Sequence, residues 1–145
     1  LSILNSPESQ VFTSKCDAWQ ADADELNALD LEASRPELQF GIVGYVDVLL
    51  REAIDFACFE LHENWLRRVT EEIRSLPLPL AQVDFTLRWA LVEDTEGFGV
   101  SIHVTGCGTD QASALRAWQI ALTEVSARMA GGAAEQDLPA QSSAN

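Results

Sequence analysis

Cys107 stands between Gly106 and Gly108, with His103 four residues upstream and the start of a helix a few residues downstream. A thiol at a helix N-terminus, beside an imidazole, is the chemistry of a nucleophile with its base. A third group that would orient His103 is missing from the local sequence. The pair therefore supports only the alternative reading of the chain, a small enzyme using Cys107 and His103. His62, the other histidine, is followed by Glu63, but Leu66 and Arg67 stand where a zinc-protease helix would carry its second histidine. Gly106-Cys107-Gly108 lacks the third glycine and the parallel βαβ setting of a dinucleotide site. Asp22-Ala23-Asp24 opens like a calcium loop, but Asn27 occupies the position where that loop needs glycine. Glu93, Asp94 and Glu96 form an acidic turn with no lysine nearby. No metal and no cofactor is expected.

Charge is the strongest global signal. Over 145 residues the formal net charge is −14, and only one of nine basic residues is lysine, Lys15. Such a balance repels nucleic acid and anionic membrane and favours a basic protein partner. The acidic run holds Asp17, Asp22, Asp24, Glu25, Asp30 and Glu32. With Arg88 and His103 these are the expected binding residues. Cys16, Cys58 and Cys107 make no CxxC and no even framework, which fits a reducing, cytoplasmic setting. No apolar run approaches a membrane span, and no basic-then-apolar leader is present.

Any such site must be held by elements. Val83, Phe85, Leu87, Trp89 and Leu91 alternate with polar neighbours, and Phe98, Val100, Ile102 and Val104 repeat the pattern after an acidic turn ending at Gly97. Alternation at period two predicts a hairpin over 83–105, with Arg88, Ser101, His103 and Thr105 on its polar face. Gly106-Cys107-Gly108 is expected to turn the corner. Thr109 or Asp110 caps a helix over about 110–129, with Leu115, Trp118, Leu122, Val125 and Met129 on one face.

Leu50, Ile54, Ala57, Leu61, Trp65, Val69, Ile73 and Leu76 predict a long helix over about 45–76, although the β-branched residues of 38–46 are equally compatible with a strand. Tyr45, Leu49, Phe56 and Phe59 would form a second apolar face on its first half, a candidate homodimer interface. A narrower helix is expected from Asp17 to Glu32, and a short edge strand at Val11-Phe12-Thr13.

The hairpin-then-helix order resembles the double-stranded-RNA-binding domain, whose basic helix start is replaced here by Thr109-Asp110-Gln111-Ala112. It also resembles the HicB antitoxin domain from about Trp89 to Val125, through the Gly106-Cys107 corner. No functional residue is carried over from either.

The expected fold class is α+β: a small antiparallel sheet, centred on the hairpin, with both helices on one face. Residues 1–130 are expected to form one domain and 131–145 a disordered tail. The expected function is that of a non-enzymatic acidic binding protein that blocks a basic partner, of phage anti-defence or toxin-immunity type.

Overall fold

The structure is a computed structural model that describes residues 1–27, 38–78 and 80–131. Its elements run β1 (Val11–Gln20), α1 (Ala23–Asn27), β2 (Phe40–Leu50), α2 (Ala53–Phe56), α3 (Phe59–Arg74), β3 (Ala81–Val92), β4 (Thr95–Gly108) and α4 (Gln111–Ala130). The four strands form one antiparallel sheet in the order β1-β2-β4-β3. The α+β class with helices packed on the sheet is as the sequence predicts. The centre of the sheet differs, however: β2 and β4 are the inner pair, and β3 is an edge.

Residues directly opposite in a ladder share a face. Val100, Ile102 and Val104 of β4 therefore align with Val48, Val46 and Gly44 of β2 and with Leu87, Phe85 and Val83 of β3. This face meets Trp65, Val69 and Ile73 of α3 and Ala121, Val125 and Met129 of α4 in the core, which Leu4 and Val11 complete.

The helix expected over 45–76 is shorter. Residues 40–50 are a strand, and α3 begins at Phe59. β2 is an inner strand that is apolar on both faces, so its Ile42, Val43, Val46 and Val48 show no clean alternation and imitate a helical run. Consequently Tyr45, Leu49, Phe56 and Phe59 do not share a helix face. Tyr45 and Leu49 lie on β2, Leu49 and Phe56 are buried, and only Phe59 is well exposed.

The Asp17–Glu32 helix is likewise replaced. Asp17 to Gln20 finish β1, and α1 is five residues long. The expected Val11-Phe12-Thr13 strand is the start of this longer edge strand. Asp30 and Glu32 lie outside the described residues, as does the expected tail from 132 onward.

The hairpin turn is tighter than expected. Glu93 and Asp94 take φ of 46° and 67°, and Val92 pairs with Thr95. Two consecutive left-handed residues make the primed turn whose twist matches the strands. Gly97 is thus inside β4, where an added Cβ would collide with the Phe56 ring. Gly106, Cys107 and Gly108 also belong to β4 rather than to a corner. Gly106 lets the α4 backbone approach at Trp118 and Ala114. For the same reason the buried stripe of α4 includes Ala114, Ala117 and Ala121, while Leu115 is largely exposed. Asp110 is the N-cap, in a reciprocal box with Ser113.

Candidate functional site

The second face of the sheet is where the chain's polar and aromatic side chains converge. Cross-strand rows define it. Asp17, Tyr45, His103 and Asp84 form one row, and Lys15, Asp47, Ser101 and Thr86 form the next. Helices α3 and α4 pack on the other side. Around Gly41 this second face is met by Ala21 and Leu26, on either side of the start of α1.

Three rings from three strands meet here. Trp19 and Tyr45 lie edge to face with centroids 6.4 Å apart, and Tyr45 is 6.0 Å from the His103 ring. Lys15 places its ammonium 5.9 Å from the centroid of Tyr45, within cation–π range. The Trp19 indole N–H donates to Glu25 Oε1 at 3.0 Å, which fixes that ring against α1. Ser101 donates its hydroxyl hydrogen to Asp47 Oδ1, and Gln82 donates to Asp84 Oδ2 at 2.8 Å. Ser101 and Thr105 are buried, whereas Asp17, Asp84 and Arg88 are exposed. The arrangement offers a partner ring faces and carboxylates, a surface suited to ammonium and guanidinium groups.

The expected binding residues divide. Arg88 and His103 share this face, as the alternation predicts, and Asp17 joins them from β1. Asp22 and Glu25 instead cap α1: Glu25 N–H donates to Asp22 Oδ1 at 2.8 Å, and Asp22 N–H donates to Glu25 Oε2 at 3.0 Å. Their carboxylates serve the chain's own backbone and, through Glu25 Oε1, the Trp19 indole. Asp24 is exposed on α1. Sequence reasoning missed Trp19 and Tyr45 as members of this face because it placed both on helices. The signal that would have found Tyr45 is the β-branched density of 42–48.

Cys107 and His103 are not brought together. Both point to this face, but four residues of extended strand separate them by about 13 Å. Cys107 is buried, and that burial pushes its thiol pKa up, opposite to the lowering that a helix N-terminus would cause. Its backbone N–H donates to the Leu80 carbonyl at 2.8 Å. Among the described residues no three His, Cys, Asp or Glu side chains group as metal ligands. None of the described helices is long and apolar enough to cross a membrane.

A second exposed surface lies at the far end of the hairpin. Trp89 is 77% and Leu91 67% exposed, on the strand face that elsewhere meets the helices. Phe98 lies between Trp89, tilted against it at 4.6 Å, and Phe59, edge to face at 5.3 Å.

No protein-family model, no curated protein and no solved structure matches this chain.

Proposed function

We propose that the protein is a non-enzymatic binding module that seats a lysine- or arginine-bearing segment of a partner protein on the sheet face opposite α3 and α4 and thereby blocks that partner. The observation that carries this reading is the Trp19–Tyr45–His103 ring cluster, with Asp17 in the same row as Tyr45 and His103. Lys15 holds its own ammonium 5.9 Å from the Tyr45 centroid, a position that a partner's ammonium group would take by displacing it. The net charge of −14 adds long-range attraction for a basic partner and repulsion for nucleic acid and anionic membrane. An inhibitor of phage anti-defence or toxin-immunity type, acting in a reducing cytoplasm, is the setting that fits an acidic blocking protein with three free cysteines.

Calorimetric titration of the full chain with arginine- and lysine-rich peptides tests the reading. Binding is expected to weaken as salt rises, because exposed charge attraction is screened. Asp17→Lys combined with Tyr45→Ala should weaken binding by about tenfold, through a like charge and a lost ring face. These two positions are chosen over Asp22 and Glu25, whose replacement would also uncap α1. Tight binding to DNA or RNA, or peptide binding indifferent to the double substitution, would sink the reading.

A further inference from the structure

The two edges of the sheet are built differently. β1 carries a register break between Thr13 and Lys15, a lysine at the break and a carboxylate at Asp17. Bulges and charges of this kind keep an edge from pairing with another chain. β3 carries the charges Asp84 and Arg88 but has no such register break. It pairs with β4 without interruption from Ala81 to Val92 and contains neither proline nor lysine. Among the described residues, the backbone from Gln82 to Val92 makes no hydrogen bond beyond its ladder with β4. Its helix-side row ends in the exposed Trp89 and Leu91.

We propose that β3 pairs antiparallel with β3 of a second copy of this chain, about a two-fold axis at Thr86, so that the two sheets become one. Charge sets the register. With the axis at Thr86, Asp84 of each copy lies opposite Arg88 of the other, on the face opposite α3 and α4. Arg88 makes no ion pair among the described residues, and Asp84 has only one of its oxygens bonded, by Gln82. On the helix side the same register sets Trp89 opposite Val83, Leu91 opposite Ala81 and Leu87 opposite Phe85, which covers the exposed apolar row. An axis at Phe85 would set Asp84 against Thr86, and one at Leu87 would set it against Ala90, so either loses both charge pairs. A shift of one residue would bring apolar side chains against polar ones. The contact is self-complementary, as a two-fold interface requires.

Light scattering on the full chain reads the outcome. The expected mass is twice 15.9 kDa. Arg88→Asp alone and Asp84→Arg alone each put like charges in opposition at both pairs, and each should halve the observed mass. The double variant Asp84→Arg/Arg88→Asp restores both pairs and should restore the dimer, as should an equal mixture of the two single variants. Circular dichroism confirms that each variant is folded. In a Cys16→Ala background, Thr86→Cys should form an intermolecular disulfide on mild oxidation, because residues at the axis lie about 4.5–5.5 Å apart between Cα atoms. A wild-type monomer at high micromolar concentration overturns the proposal. So do single variants that remain dimeric, or a folded double variant that stays monomeric. The peptide-binding test above uses Asp17 and Tyr45, so the two readings fail separately.

Discussion

Gly106 is the position at which one methyl group would do most harm. An added Cβ would overlap the Trp118 backbone nitrogen and crowd the Ala114 carbonyl at 2.7 Å, and backbone atoms of a packed helix cannot rotate away. α4 would have to lift off β4, opening the contacts that bury Ala114, Ala117 and Ala121. Gly106→Ala is therefore expected to cost about 3 kcal/mol, the upper end of the overpacking range, measured by urea denaturation. Gly131→Ala is the matched control. The nearest atom to its added Cβ is the Arg128 carbonyl oxygen at 3.5 Å, an ordinary contact, and its effect should stay within about 0.5 kcal/mol. Equal losses at the two sites would contradict the close-approach account of Gly106.

At the scale of elements, α3 is fastened to the hairpin through His62. The ring is buried between Trp65 and Phe98, with centroids 6.3 and 5.7 Å away, and Nδ1 donates to the Cys58 carbonyl at 2.7 Å. Burial lowers its pKa from the ordinary 6.5, and the Cys58 and Phe98 carbonyls and Asp55 only partly offset that. The unfolded chain then takes up this proton before the folded one. The contribution to stability is fully present above pH 6.5 and is lost as the pH falls from there through the lower folded pKa. Denaturation midpoints measured from about pH 7.5 down to 5 should fall in the wild type. They should fall less in His62→Gln, whose side chain does not titrate. Identical pH profiles for the two proteins would remove His62 as the cause.

For the whole molecule, a formal charge of −14 means self-repulsion that folding concentrates. The ion pairs among the described residues are Arg67–Glu63, Arg128–Glu72 and Arg128–Glu124, each with a partner at least two-fifths exposed. Pairs of that kind contribute little. Screening should therefore relieve more repulsion than it weakens attraction. Tm is expected to rise as sodium chloride increases from about 0.01 to 0.1 M, over which the screening length falls from about 30 to 10 Å. Affinity for a basic peptide should move the other way over the same range. A Tm that falls with salt would show that local attractions outweigh the net charge.

What was legible in the sequence is what a local period can encode. β3, β4, the Trp65–Val69–Ile73 stripe of α3 and the cap at Asp110 each follow from spacing within one segment. Each has one apolar side and one polar side, and the alternation or the 3.6-residue stripe records it. β2 has no such record, because an inner strand apolar on both faces carries no period-two signal, and its residues passed for the start of a helix. α4 shows a second limit. Its contact face follows the small residues that admit close approach to Gly106 rather than the largest apolar ones. Cys107 shows a third, since its place between two glycines indicated a corner while the strand continues through it and buries it. The sheet face opposite α3 and α4 is the furthest from local sequence. Trp19, Tyr45 and His103 become neighbours only through the β1–β2 and β2–β4 registers. Those registers are fixed by hydrogen bonds and packing between segments far apart in the chain, which no window of neighbouring residues contains.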